Sequence, residues 1–266
     1  MRFCAFASGS SGNCTYAGSE STHILVDVGI SGKRVDQALN CAGLAGRDLN
    51  GILITHEHSD HICGLGVISR KYGIPIYATE KTIDAIRKDK SIGQIDPELF
   101  NVIRADNKFN IGDLTVNPMK ISHDAADPVG YRSSYGSKKV AVCTDLGKYD
   151  EYTVEALKGL DVLLLEANHD VKMLQLGPYP YPLKQRILGD RGHLSNELSG
   201  QLLSRVLHDD MKYIFLAHLS KENNMPELAY EAVKTEVTLS PLNGYKGDDF
   251  CISVAKRTEM SELIAI

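Results

Sequence analysis

Directly behind the apolar run Gly51-Ile52-Leu53-Ile54 stands Thr55-His56-Glu57-His58-Ser59-Asp60-His61, which puts three imidazoles and an aspartate within positions 56–61. Protonated, the three rings repel one another; neutral and buried, they leave ring nitrogens unsatisfied. A divalent cation removes both costs, because each neutral imidazole and each ionised carboxylate becomes a ligand. The competing reading is a polar surface loop, which supplies no mechanism for this spacing.

Four more residues close predicted strands. Asp27 ends the segment 23–27, His123 follows 114–121, Asp145 follows 139–143 and His218 follows 213–217. Groups on strand-terminal loops converge at one edge of a layered structure while the sheets hold them rigid. Taken singly, His123 and His218 also read as hydrogen-bonded structural histidines, and Asp27 as a turn aspartate. In order and context, however, Leu25-Val26-Asp27-Val28-Gly29, the His-x-His-x-Asp-His block, His123, Asp145 and His218 resemble the five motifs of the metallo-β-lactamase superfamily. That resemblance implies one metal on His56, His58, His123 and Asp145, and a second on Asp60, His61, Asp145 and His218. Asp145 bridges, and Asp27 orients the histidine loop through hydrogen bonds without touching metal. Imidazole and carboxylate accept Zn and Mn, with Fe also compatible, so the expected cofactor is two divalent ions of open identity.

An aspartate rather than a cysteine at the bridging motif is similar to the dinuclear phosphodiesterase branch, not to the classical lactamases. Two ions suit phosphodiester cleavage through a metal-bridging hydroxide. Leu165-Glu166-Ala167-Asn168 and Gly192-His193-Leu194-Ser195-Asn196 follow the order of the catalytic loops of tRNase Z. By that analogy His193, oriented by Glu166, stabilises the scissile phosphate or protonates the leaving oxygen, and Asp60 orients or deprotonates the hydroxide. A second reading of His193 stays open, as the residue preceding the cap of a helix over 195–208. The loop Ser8-Gly9-Ser10-Ser11-Gly12-Asn13-Cys14 reads either as a phosphate-binding turn using Ser10, Ser11 and Asn13, or as a tight hairpin. With Ala217-His218-Leu219-Ser220-Lys221-Glu222-Asn223-Asn224, these segments resemble the YycJ/WalJ group of bacterial metallo-hydrolases across almost the whole chain. The resemblance implies a DNA-directed 5'-to-3' exonuclease. The alternatives are a small-molecule phosphodiesterase acting on cyclic nucleotides or related compounds, and a non-catalytic regulatory metal-binding module.

Short β-branched strands interleaved with helical patterns, near-hairpins first and alternation later, predict an α/β chain built as an αββα sandwich with helices on the outer faces of two mixed sheets. The 266 residues, 43% hydrophobic and 24% charged, read as one domain, 1–266. Only 21 residues separate His123 from Asp145 and 72 separate Asp145 from His218, so neither the exosite arm of tRNase Z nor a β-CASP insertion is expected. Six scattered cysteines without a C-x-x-C pair, no apolar run near 20 residues and no signal-peptide core predict reduced thiols, no membrane span and a cytoplasmic protein. A net charge of -5 lacks the overall basic signature of a non-specific nucleic-acid binder. A nucleic acid partner, DNA by the resemblance, must therefore be gripped locally, at spots such as Lys138, Lys139, Lys184, Arg186 and Arg191. Gly177-Pro178-Tyr179-Pro180-Tyr181-Pro182 predicts an extended connector or a lid.

Overall fold

Hydrophobic runs of four to six residues, rich in Val, Ile and Leu, become strands because they bury their side chains on both faces. The computed structural model describes residues 1–266. Its strands are β1 (Arg2–Ala7), β2 (Cys14–Gly18), β3 (His23–Val26), β4 (Gly51–Leu53), β5 (Ile76–Thr79), β6 (Phe100–Ile103), β7 (Phe109–Ile111), β8 (Leu114–Lys120), β9 (Val129–Tyr135), β10 (Lys138–Cys143), β11 (Val162–Glu166), β12 (Tyr213–Ala217), β13 (Ile252–Val254) and β14 (Ile264–Ala265). The helices are α1 (Gly32–Cys41), α2 (Ser59–Ile62), α3 (Leu65–Tyr72), α4 (Glu80–Lys88), α5 (Glu151–Leu157), α6 (Val171–Leu176), α7 (Tyr181–Leu188), α8 (Asn196–Val206) and α9 (Pro226–Leu239). The class is α/β with two mixed sheets, as the sequence predicts. No helix is long and apolar enough to cross a membrane.

The chain divides into two compact units. The first comprises residues 1–120, 125–138 and 256–266, and the second 121–124 and 139–255. In the first, one sheet runs β14-β1-β2-β3-β4-β5-β6. β1, β2 and β3 are antiparallel neighbours, and β3 to β6 run parallel. Its core gathers Phe6, Tyr16, Leu25, Ile52, Ile54, Leu65 and Ile76, all but fully buried. Tyr16 fits there because its hydroxyl meets His23 Nδ1 at 2.9 Å, which leaves His23 structural.

In the second unit β10, β11, β12 and β13 are all parallel. Parallel neighbours need long crossovers, and α5, α6 to α8, and α9 supply them. Val162-Leu163-Leu164-Leu165-Glu166 is buried along its whole length, as a central strand flanked on both edges must be. α8 and α9 approach closely at Gly200, where a Cβ would lie 2.5 Å from that of Glu236.

The strands expected over 23–27, 114–121, 139–143 and 213–217 and the helix expected over 195–208 fall within a residue or two of β3, β8, β10, β12 and α8. Two differences have clear causes. The segment expected to run extended through Pro182 instead turns into α7 at Tyr181, because proline is tolerated in a first helical turn, where its missing N–H has no partner to lose. The short strands β6, β7 and β14 escape prediction because they span only two to four residues, too few for a periodic pattern to show.

Candidate metal and catalytic centre

In the first unit β3 and β4 are parallel, so their carboxyl ends open side by side, and the backbone N–H of Asp27 donates to the Leu53 carbonyl at 2.8 Å. Asp27 sits at φ 61°, a left-handed conformation that a short polar side chain tolerates better than most. The turn aims its carboxylate at the loop behind β4. Oδ1 accepts the Thr55 N–H at 2.8 Å, and Oδ2 accepts the Thr55 hydroxyl and His61 Nδ1, each at 2.8 Å. The Thr55 hydroxyl has one proton and gives it to Asp27, so towards His56 Nδ1, 3.0 Å away, it accepts. Both rings therefore carry their proton on Nδ1 and present a lone pair at Nε2. Burial is the largest influence on Asp27 and pushes its carboxyl above the usual range, against the pull of His61 and Thr55.

His56 Nε2 and His58 Nδ1 face each other at 3.1 Å. Two nitrogens bound to one tetrahedral ion at 2.0–2.1 Å lie ~3.3 Å apart, so this pair matches the bite of a divalent metal. Asn13, buried, holds the same loop from the other side. Its amide nitrogen meets His61 Nε2 at 3.1 Å and the Asp60 carbonyl at 3.3 Å, while its carbonyl oxygen accepts the Gly9 N–H at 2.9 Å. Asn13, one of the three residues of the phosphate-binding reading of this loop, thus turns its side chain to the histidine loop. Ser10 and Ser11 are exposed, with their hydroxyls 3.3 and 3.5 Å from the Arg257 guanidinium. Gly29 is required by contact: a Cβ there would stand 1.7 Å from the Asp60 carbonyl oxygen.

In the second unit Asp145, Glu166 and His218 stand at the carboxyl ends of adjacent parallel strands, where ligands bind in open α/β sheets. Asp145 and His218 adopt φ 59° and 55°. Such conformations cost ~1–3 kcal/mol each and concentrate where geometry serves a site. Asp145 Oδ1 lies 3.4 Å from His218 Nε2 and 3.8 Å from His123 Nε2. His123 Nδ1 donates to the Gly192 carbonyl at 3.1 Å, and His218 Nδ1 faces Glu166 Oε1, also at 3.1 Å. These rings too are anchored by Nδ1 with Nε2 directed to the aspartate. Burial lowers the His123 pKa and favours the neutral ring that a metal needs.

Glu166 is fully buried and gathers several donors. Its Oε1 accepts His193 Nδ1 at 2.7 Å, and its Oε2 accepts the backbone N–H groups of Leu146 at 2.7 Å and Leu194 at 3.2 Å. Burial alone would raise its pKa, but the charges and hydrogen bonds of His193 and His218 together hold it well below the carboxylate range. The reverse holds for His193, which burial would lower and which Glu166 and Asp145 keep above its ordinary value. His193 lies between two other rings, with centroids 5.1 Å from His123 and 5.2 Å from His218. Ser195 caps α8, its hydroxyl accepting the Leu198 N–H, so His193 stands two residues before the cap. Asp145, Glu166, His193 and His218 each offer an atom within 4.8 Å of the others, a group able to hold a metal.

Asn168, Asn196 and Asn224 were not singled out by the motif reading, and the structure gives them a shared place. Asn224 and Asn196 exchange reciprocal amide bonds at 2.8 and 3.0 Å. Asn224 also donates to the Ala167 and Asn168 carbonyls, and Asn168 donates to the His218 carbonyl at 2.8 Å. This buried clasp ties together the loops bearing Glu166, His193 and His218. Its members lie far apart in the chain, and no local pattern in the sequence marks them. His169 is buried beside it and stays neutral, its pKa lowered to about 4 mainly by burial. Burial, then Glu166 and Asp145, push the Cys143 thiol up.

This chain belongs to the beta-lactamase superfamily, whose domain model matches residues 22–214. It is 42% identical over 233 residues to a Bacillus anthracis protein named exodeoxyribonuclease YycJ, covering 88% of each chain. It is 41% identical over 242 residues to the Streptococcus pneumoniae protein named exodeoxyribonuclease WalJ, covering 91% of this chain and 90% of that one. Among solved structures, Zn(2+)-bound PqqB from Methylobacterium extorquens superposes with a TM-score of 0.72 at 15% identity, over 99% of this chain and 100% of that one. At that identity the likeness shows the fold.

Proposed function

We propose that this protein is a metal-dependent exodeoxyribonuclease. The observation that carries the reading is the common anchoring of four imidazoles. His56, His61, His123 and His218 each commit Nδ1 to a fixed oxygen and hold Nε2 as the coordinating atom. A structural histidine has no need of that uniformity. The names of the 41–42% identical relatives supply the substrate class, DNA.

By the motif order, His56, His58, His123 and Asp145 would hold one divalent ion, and Asp60, His61, Asp145 and His218 the other. Bound there, two such ions supply a nucleophile near neutral pH and neutralise charge on phosphate oxygens. The chain's own groups do the rest. Asp60 orients the attacking water. His193, kept protonated by Glu166 on Nδ1, holds a second proton at Nε2 for the leaving oxygen or the scissile phosphate. Glu166 keeps that ring in one orientation. Ser10 and Ser11, beside Arg257, remain candidates to meet a phosphate at the edge of the first cluster.

The test is digestion of end-labelled single- and double-stranded DNA by Mn- or Zn-reconstituted protein, with cyclic nucleotides as comparison substrates. Release of nucleotides from one end supports the proposal. Turnover of cyclic nucleotides alone would transfer the site to a small-molecule phosphodiesterase.

A further inference from the structure

The second unit contains a stretch that its core does not claim. From Gln175 to Arg191 no residue is buried. Yet the stretch is apolar and aromatic: Leu176 is 88% exposed, Tyr181 72% and Leu188 40%. α7 itself has no buried residue, although an eight-residue helix is marginal in water without packing to support it. Tyr179 and Tyr181 are flanked by Pro178, Pro180 and Pro182, whose fixed φ stiffens the backbone and lowers the entropy lost when a ring is covered.

Charge sets this stretch apart from the rest of the chain. Residues 171–191 hold Lys172, Lys184, Arg186 and Arg191 against the single Asp190, a net +3 in a protein of net charge -5. Arg186 is paired with Asp124, and Lys184 Nζ rests on the Gln175 carbonyl at 2.7 Å, a contact a phosphate can replace. The stretch is also wired to His193. The His193 N–H donates to the Ile187 carbonyl at 3.0 Å, the Gly192 N–H donates to the Gly189 carbonyl at 2.8 Å, and Arg191 Nε donates to the His123 carbonyl at 3.0 Å. A ligand lying along α7 therefore ends at the loop that carries the proton donor.

We infer that residues 176–188 form a stacking platform for a single DNA strand, with Tyr181 under a base and Lys184 beside the backbone. An exposed ring with cations close behind it in sequence is what sequence-tolerant single-strand binding uses, since every base has a face to stack and every linkage a charge. The alternative occupant, a second copy of this chain meeting it through the same face, would bring the same +3 stretch against itself. The inference rests on the nuclease reading and refines its substrate to a strand unpaired at the site.

The experiment is fluorescence anisotropy of a fluorescein-labelled oligothymidylate with phosphorothioate linkages, bound to the metal-loaded full chain. Tyr181→Ala is expected to raise Kd at least ~5-fold, the range for loss of one stacked base, and Tyr181→Phe to restore it. Lys184→Gln is expected to flatten the dependence of log Kd on log salt by about 0.7, one phosphate contact on a single strand. Unchanged affinity in Tyr181→Ala overturns the platform. So does a concentration-dependent dimer in sedimentation that Tyr181→Ala dissolves. Hydrolysis of ordinary DNA by the wild type is scored separately: its absence sinks the nuclease reading, while the binding result decides the platform.

Discussion

Asp27→Asn separates the geometry of the histidine loop from its charge. Asparagine tolerates the left-handed φ of 61° as aspartate does, so the turn is preserved. Its Oδ1 still accepts the Thr55 N–H. An amide nitrogen now stands where Oδ2 met the Thr55 hydroxyl and His61 Nδ1, each at 2.8 Å. To accept from it, the His61 ring must move its proton from Nδ1 to Nε2, the atom assigned to metal. Loss of such an outer partner costs 10–100-fold in metal affinity, or about 1.4–2.7 kcal/mol. At ~2–4 °C per kcal/mol, the metal-induced rise in Tm should shrink by ~3–10 °C at equal metal concentration. Without metal the variant should melt within about 3 °C of wild type, since burial already disfavours the Asp27 charge. Calorimetric melts with and without Zn or Mn measure both quantities. Equal metal-induced shifts in the two proteins would refute the tautomer argument.

Four further outcomes are expected. His193→Ala should lower kcat by about 100-fold with metal content intact by mass spectrometry; an unchanged rate would make the residue a mere neighbour of the α8 cap. Asn224→Ala leaves both ends of the Asn196 amide unmatched in a buried site, at ~1–3 kcal/mol each, so Tm should fall by at least ~4 °C, and a fall under ~1 °C would dismiss the clasp. Gly29→Ala should destabilise the fold and weaken metal binding, because its Cβ collides with the Asp60 carbonyl; an equilibrium metal titration identical to wild type would contradict the contact. Burial works to raise the Asp36 pKa, but bonds from Lys71 and Tyr72 outweigh it and leave the carboxyl depressed. Its contribution is therefore present above the unfolded carboxylate pKa near 3.9 and lost as pH falls through the folded value, so wild type should lose its advantage over Asp36→Asn in that acid window and nowhere above it.

The histidine block was legible because ligand chemistry compresses into adjacent positions, and β11 because Val162-Leu163-Leu164-Leu165 is an unbroken apolar run, as a buried central strand requires. Glu166 beside His193 was suggested by motif order, and the 2.7 Å contact supplies its geometry. The left-handed turns at Asp27, Asp145 and His218 were not legible, since aspartate and histidine carry no glycine-like mark of positive φ. Nor was the Asn196–Asn224 clasp, whose partners lie 28 residues apart and pair only through tertiary packing. α7 was hidden by its prolines. A Gly-Ser loop reads as an anion cradle or as a tight hairpin, and neither reading shows that the Asn13 amide meets the neighbouring histidine loop.

The central claim is that two divalent ions on seven side chains make this chain a DNA exonuclease. Stepwise addition of Mn or Zn to metal-stripped protein, with release of mononucleotides from end-labelled DNA followed at each step, tests it directly. The account predicts no release without metal and a rise that levels off at two equivalents. Release that is undiminished after both ions are removed, or no release at any loading, would contradict it.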